Sequence, residues 1–170
     1  MIIELANVPI RRKAIELTFQ PDEIELDAED GVLASPVSFT GETEKVGEHV
    51  HIRGRVTADA EVECFRCLEP VRKSLDISFD DVYVGPESEP TDDEIALGDE
   101  DLDVAFAENG VIDMIDVVRE QLLLALSDQV LCSENCRGLC PKCGGNRNLL
   151  DCKCIENEID PRWSALRDLK

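Results

Sequence analysis

The chain has 170 residues and a formal net charge of −21, with 17 Lys and Arg against 38 Asp and Glu. A chain this acidic repels nucleic acid as a whole and suits a basic protein partner. No run of residues reaches the roughly 18 consecutive apolar residues of a membrane span, so we expect no membrane partner. The length fits one domain, or one domain with a small appended module.

Predicted strands occupy the first half of the chain. Residues 2–8 and 14–19 form two predicted strands, and the second alternates apolar and polar residues as a half-buried strand does. Within residues 32–84 the same alternation predicts antiparallel strands joined by hairpin turns. Residues 41–47 are predicted to form a polar turn, and Gly54 a break or bulge in a longer strand.

An acidic segment separates these strands from the rest of the chain. Residues 85–101 contain no Lys or Arg and predict a solvated loop. The functional alternative is an acidic segment that holds a basic partner. A short strand is predicted at residues 102–106.

One main helix is predicted at about residues 113–126. Asp113 can cap its N-terminus. An apolar stripe at helical spacing predicts that this helix packs on the sheet. The stripe consists of Ile115, Val118, Leu122 and Leu126, and is widened by Val117, Leu123 and Leu124. Near the end of the chain, Asp160 and Pro161 predict the start of a short terminal helix, with Trp163 on its apolar face.

Eight cysteines are the chemical signature of the chain. Cys64 and Cys67 form a Cys-x-x-Cys that we expect at a hairpin tip. The others, Cys132, Cys136, Cys140, Cys143, Cys152 and Cys154, fall within one short segment. Residues 140–144, with the sequence C-P-K-C-G, have the form of a zinc knuckle, and the later cysteine pair can complete a tetrahedral all-sulfur site.

Three other kinds of cysteine chemistry compete with structural zinc. Disulfides, an iron–sulfur cluster and a redox Cys-x-x-Cys are the alternatives. Residues 1–20 carry three basic residues after a short apolar start and lack the long apolar core of a secretory signal. We therefore expect the reducing cytoplasm, where clustered cysteines favour metal. His49 and His51 are expected to be surface residues of a strand.

The favoured division gives two zinc ions with four sulfurs each. It joins the upstream pair to Cys132 and Cys136, and leaves the last four cysteines as a local site. Alternatives are a pairing of the upstream pair with Cys140 and Cys143, or a single zinc site. All-sulfur sites with no open position are structural. Since no catalytic constellation is recognisable, we expect neither an enzyme nor a small-molecule substrate.

Three motifs together resemble the YceD family of large ribosomal RNA subunit accumulation proteins. They are C-F-R-C-L-E-P at residues 64–70, G-V-I-D-M-I-D-V-V-R-E-Q-L-L-L-A-L at 110–126, and L-C-S-E-N-C-R-G-L-C-P-K-C-G-G-N-R-N at 131–148. D-P-R-W-S-A-L-R-D-L at 160–169 is similar to the closing segment of the family. The resemblance implies a role in accumulation of large-subunit ribosomal RNA and supplies no catalytic residues.

The predicted fold class is α+β. We expect an antiparallel β-sheet or partly open barrel packed by one main helix within residues 1–130. A cysteine-rich zinc-binding segment with a short terminal helix would follow in residues 131–170, joined to the hairpin of Cys64 and Cys67.

Three functional hypotheses follow. The first is a non-enzymatic ribosome-biogenesis factor for 23S ribosomal RNA that contacts RNA phosphates through basic residues near the cysteines. These residues are Arg66, Arg137, Lys142, Arg147 and Lys153. The second is a protein-only adaptor or chaperone for a basic ribosomal protein. The third is a thiol-based redox switch.

Overall fold

The computed structural model describes residues 1–27, 31–86, 104–126 and 129–154. The chain divides into two compact units. Unit 1 comprises residues 1–62 and 71–128, and unit 2 combines residues 63–70 with 129–170. Most of the predicted acidic loop and the whole predicted terminal helix lie outside the described residues.

Unit 1 is built mainly of β-strands with one main helix. The strands are β1 (Ile2–Glu4), β2 (Lys13–Phe19), β3 (Val32–Leu33), β4 (Val37–Val46), β5 (His49–Glu63), β6 (Pro70–Val84), β7 (Val104–Phe106) and β8 (Val111–Asp113), and the helix is α1 (Met114–Leu126). Single 3₁₀ turns occupy Leu5–Asn7 and Glu108–Gly110. This arrangement confirms the predicted α+β fold class.

The strands form two sheets. The larger sheet is open and six-stranded, with the order β2-β4-β5-β6-β7 and with β3 added against β5. Its β2–β4, β3–β5 and β4–β5 pairs are antiparallel, whereas β7 lies parallel to β6. The smaller sheet is the antiparallel pair of β1 and β8.

The core lies on the face of β5 that carries the even-numbered residues. Val50, Ile52 and Val56 are fully buried there, because side chains alternate between the two faces of a strand. The helix α1 contributes Val118 and Leu122, also fully buried. Burial of aliphatic side chains of this kind is the main source of stability for such a unit.

Polar contacts fix α1 against β6. Asp113 caps the helix, since its side-chain oxygen accepts the Ile115 N–H at 3.0 Å. The Gln121 amide donates to Asp81 at 3.0 Å, and Lys73 Nζ donates to the carbonyl of Ala125 at 2.7 Å. Burial and nearby acidic side chains raise the pKa of Asp81 above its ordinary value.

Two glycines that the sequence marks as turn or bulge residues lie instead in the middle of paired strands. Of the predicted turn at residues 41–47, only Gly47 lies in the turn between β4 and β5, and residues 41–46 belong to β4. The predicted break at Gly54 is wrong, because Gly41 and Gly54 face each other in an unbroken β4–β5 ladder. A Cβ on Gly54 would clash with the ring of Phe39. The glycines therefore provide the space for this fully buried ring, which packs 5.8 Å from Phe79 between centroids.

Among the residues that the structure describes, α1 and the short helical turns are too short or too polar to cross a bilayer.

Candidate metal centres

Unit 2 gathers all eight cysteines into two groups of four sulfur atoms. The first centre consists of Cys64, Cys67, Cys132 and Cys136, and the second of Cys140, Cys143, Cys152 and Cys154. Within each centre all four sulfurs lie within 4.8 Å of one another. This grouping is the one that the sequence spacing favoured, and it excludes the pairing of Cys64 and Cys67 with Cys140 and Cys143.

The sulfur separations fit tetrahedral coordination of one ion. In the first centre, the sulfurs of Cys64 and Cys136 are 3.8 Å apart, and those of Cys67 and Cys132 are 3.6 Å apart. Four sulfurs at about 2.3 Å from a central zinc would be separated by about 3.8 Å. The residues present therefore fit a metal held by four thiolates.

Both centres begin with the same backbone turn. In the first, the Leu68 N–H donates to the Cys64 carbonyl at 2.9 Å, and Leu68 has a φ of 61°. In the second, the Gly144 N–H donates to the Cys140 carbonyl at 2.8 Å, and Gly144 has a φ of 69°. The residue after the second cysteine is thus left-handed in both turns, a conformation that glycine adopts without steric cost.

Backbone bonds join the distant segments that build the first centre. The Phe65 N–H donates to the Val130 carbonyl at 2.9 Å, and the Leu139 N–H donates to the Arg66 carbonyl at 3.0 Å. The Arg66 guanidinium also donates to the Cys136 carbonyl at 3.1 Å. The peptide around Cys64 is therefore held by residues more than 60 positions later in the chain.

Gly138 allows the closest of these approaches. It has a φ of 68°, and a Cβ at this position would lie 3.0 Å from the Arg66 carbonyl oxygen. Its own carbonyl accepts the Arg147 N–H at 2.9 Å. A side chain at position 138 would press on the peptide of Arg66, which lies between the ligands Cys64 and Cys67 in the chain.

Two asparagines organise the peptide around Cys136. The Asn148 amide nitrogen donates to the Cys136 sulfur at 3.3 Å, while its amide oxygen accepts the Arg137 N–H at 2.8 Å. Asn146 reaches in the other direction and donates to Glu69 at 3.0 Å. The supporting role of these two asparagines was missed in the sequence analysis. Their spacing in N-R-N, directly after a knuckle, was the available signal.

Hydrogen bonds to sulfur favour ionised thiols at defined positions. Burial opposes ionisation of Cys64, but N–H groups, including that of Cys132 at 3.3 Å, lower its pKa to about 6. In the second centre, N–H groups of Cys143 and Lys142 lower the pKa of Cys140 to about 6. Hydrogen bonds from the Cys154 thiol to the sulfurs of Cys143 and Cys140 raise the pKa of Cys154 to about 12, and burial and repulsion between adjacent thiolates add to the shift. A bound cation would remove that repulsion.

The predicted RNA-contacting residues all lie in unit 2. Arg66, Arg137, Lys142 and Lys153 are exposed, and Arg147 is half-buried. Arg66 is partly committed to the first centre through its bond to Cys136.

The two histidines lie on β5 and belong to neither sulfur group. His51 contacts Asp80 at 3.4 Å.

Comparison with known proteins places these motifs in a family. The model of the family described as "Large ribosomal RNA subunit accumulation protein YceD" matches residues 52–170. This range contains both sulfur groups and α1.

Individual relatives come from bacteria and plants. An uncharacterized Mycobacterium tuberculosis protein is 32% identical over 133 residues, 74% of this chain and 58% of the relative. The uncharacterized protein YlbN of Bacillus subtilis is 24% identical over 169 residues, 99% of this chain and 94% of the relative. The Zea mays protein "Large ribosomal RNA subunit accumulation protein YCED homolog 1, chloroplastic" is 26% identical, over 82% of this chain and 59% of its own.

This chain thus spans less than two thirds of the mycobacterial and maize relatives. No solved structure matches it. The family match extends over more than half of the chain and includes every cysteine. The chain therefore belongs to the YceD family of large ribosomal RNA subunit accumulation proteins.

Proposed function

We propose that this chain is a non-enzymatic ribosome-biogenesis factor that supports accumulation or processing of large-subunit (23S) ribosomal RNA in the cytoplasm. Unit 2, stabilised by two structural zinc ions, would be its docking module. Family membership supports the ribosomal role. The observation that carries the structural part is the division of all eight cysteines into two compact four-sulfur groups.

Zinc suits these groups better than the alternatives. A disulfide requires sulfurs about 2.05 Å apart, whereas the closest pairs described for the first centre are 3.6 and 3.8 Å apart. Four sulfurs crowded around one point suit a single tetrahedral ion rather than a larger iron–sulfur cluster. Four protein ligands complete the coordination of zinc and leave no open position for a reacting water.

The metal would supply much of the folding free energy of unit 2. Phe65, Leu68, Leu149 and Leu150 are all exposed, so these large apolar side chains contribute little to a core. Zinc binding to cysteine sites is worth about 10–16 kcal/mol in small modules at neutral pH. We expect removal of zinc to unfold unit 2 and to abolish docking.

The basic residues of unit 2 would contact RNA phosphates. Arg137 directly follows the ligand Cys136, and Lys142 directly precedes the ligand Cys143, so bound zinc would fix the backbone at both residues. Arg147 lies on the turn that follows. Phosphate contacts position a protein on RNA without reading its sequence. Ribosomal RNA, a pre-ribosomal particle or a basic ribosomal protein within it are the partners that this arrangement suits.

Crosslinking in cells tests the proposal. The test variant carries Arg137→Gln, Lys142→Gln and Arg147→Gln. The matched control carries Arg12→Gln and Arg72→Gln, two unit 1 cations that pair with carboxylates, together with Arg11→Gln, at an exposed position.

We expect the test variant to lose large-subunit RNA crosslinks and the control to retain them. Unchanged RNA crosslinks in the test variant, together with loss of a protein partner after deletion of residues 87–101, would favour the protein-only adaptor. A purified chain without zinc but with readily reversible disulfides would favour the redox switch.

A further inference from the structure

A cleft in unit 1 lies between the unpaired edges of two strands. Within the described residues, β1 pairs only with β8, and β2 is an outermost strand that pairs only with β4. The cleft is lined by the consecutive residues 1–4 and 13–17. Successive side chains point to opposite faces of a strand, so a cleft on one face would contact mainly alternate residues. Since consecutive residues line this cleft, we infer that its walls are the edges of the two strands.

The size of the cleft matches a short extended peptide. Its volume is about 500 Å³. One residue of a strand occupies roughly 160 Å³, from a rise of about 3.3 Å, a strand spacing of about 4.8 Å and a sheet thickness of about 10 Å. The cleft therefore holds about three residues, and β1 itself is three residues long.

The cleft is apolar in part and bears acidic groups. Val8 and Thr43 are buried where they line it, whereas Ile2 is 64% exposed at its rim. Glu4 and Glu16 are exposed along its walls. Its cations are Lys13 and the N-terminal ammonium of Met1, and the ammonium already pairs with Asp113 at 3.5 Å. An exposed strand edge with apolar side chains is a template for pairing with another chain.

We propose that this cleft binds an extended basic segment of a partner protein, which pairs with the edges of β1 and β2 by strand addition. Two facing strand edges offer backbone donors and acceptors on both sides, and an extended polypeptide is the ligand that satisfies both. The net charge of −21 and the carboxylates of Glu4 and Glu16 select a basic segment. The same charge disfavours a second copy of this chain and nucleic acid.

This inference stands on the geometry of unit 1 and does not rest on the ribosomal role. Residues 1–17 precede the range matched by the family model. Peptide binding at the cleft and RNA binding by unit 2 can therefore fail separately.

A peptide titration of the full zinc-loaded chain tests the proposal. The probe is a fluorescently labelled heptapeptide of alternating lysine and valine. Two control peptides replace lysine with glutamate, or carry N-methyl groups on alternate backbone nitrogens, which remove donors without changing charge. We expect the basic peptide to bind, and backbone amide signals of residues 2–4 and 13–17 to shift on binding. Both control peptides should bind at least about tenfold more weakly, because one loses the charge attraction and the other loses strand pairing.

Charge reversal in the protein provides the second arm. Glu4→Lys with Glu16→Lys should weaken binding of the basic peptide about tenfold, since each reversal removes an attraction and adds a repulsion. The control, Glu61→Lys with Asp22→Lys, changes the net charge equally at exposed sites that do not line the cleft and should have little effect.

Equal binding of the N-methylated and parent peptides would overturn strand addition. Amide shifts confined to other residues would overturn the site. Self-association of the chain through residues 2–4 and 13–17, or binding of an RNA oligonucleotide there, would overturn the proposed occupant.

Discussion

Replacement of Gly138 by alanine tests how closely the two cysteine segments must approach. Gly138 lies between Cys136 of the first centre and Cys140 of the second. Its φ of 68° belongs to the left-handed region, and an added Cβ would meet the Arg66 carbonyl oxygen at 3.0 Å. The substitution therefore strains the backbone and also pushes away the peptide of Arg66.

The magnitude follows from these two effects. A left-handed conformation costs a residue with a Cβ about 1–2 kcal/mol. Displacement of the Arg66 carbonyl would also weaken its bond from the Leu139 N–H, which adds about 1 kcal/mol. Because folding of unit 2 and metal binding are coupled, a loss of about 2–3 kcal/mol lowers the zinc affinity of the first centre roughly 30- to 150-fold.

Gly144→Ala is the matched control. Gly144 has a φ of 69°, but a Cβ there meets nothing within 4 Å. Only the conformational cost applies, so the second centre should lose roughly 5- to 30-fold in zinc affinity. The assay is competition with a chromophoric chelator, with each centre measured in a background that lacks the other. Equal losses for the two variants, or a larger loss for Gly144→Ala, would refute the proposed contact between residue 138 and Arg66.

Three further predictions concern the packing of α1, the raised pKa of Asp81 and the hydrogen bond from Asn148 to the Cys136 sulfur. Leu122→Ala should lower the free energy of unfolding of unit 1 by about 2–5 kcal/mol, because Leu122 is fully buried. Leu124→Ala should change this free energy little, because Leu124 is 63% exposed. Similar denaturation midpoints for the two variants would contradict the prediction. Folding raises the pKa of Asp81, so the charged carboxylate of Asp81 disfavours the folded state at pH 7. Asp81→Asn should therefore raise the thermal unfolding midpoint at pH 7, and the gain should shrink as the pH falls towards 3.8, the ordinary pKa. A gain independent of pH would contradict this prediction. Asn148→Ala should lower the zinc affinity of the first centre about 10- to 100-fold in the chelator assay, because it removes a hydrogen-bond donor to the Cys136 sulfur. An equal loss of affinity in Asn135→Ala, at an exposed position, would contradict this specific role of Asn148.

The sequence was most informative where chemistry is local. The knuckle around Cys140 and Cys143 and the apolar stripe of α1 depend on residues close together in the chain, and both can be predicted from spacing. The widening of that stripe to Leu124 is wrong, since Leu124 is 63% exposed. The cap at Asp113 was likewise predicted from its position before the stripe. Spacing, together with the requirement for four ligands per ion, favours the division of the sulfurs into these two groups but leaves two alternatives open.

Features that depend on contacts between distant residues were missed. Gly41 and Gly54 were read as local turn and bulge signals, although they are opposed in the ladder and accommodate Phe39. The hydrogen bond from Asn148 to the Cys136 sulfur depends on how the chain folds back after the knuckle at residues 140–144. The parallel partner of β6 is β7, which follows the acidic segment in the chain. The alternation of apolar and polar residues carries no information on the direction in which two strands pair.

The central claim is that eight cysteines form two separate four-sulfur zinc centres. Native mass spectrometry of the intact chain, with single Cys67→Ser and Cys143→Ser variants and the double variant, tests this claim most directly. The account predicts two zinc ions in the parent chain, one in each single variant and none in the double variant. One zinc ion in the parent chain, or loss of both ions from either single variant, would contradict it.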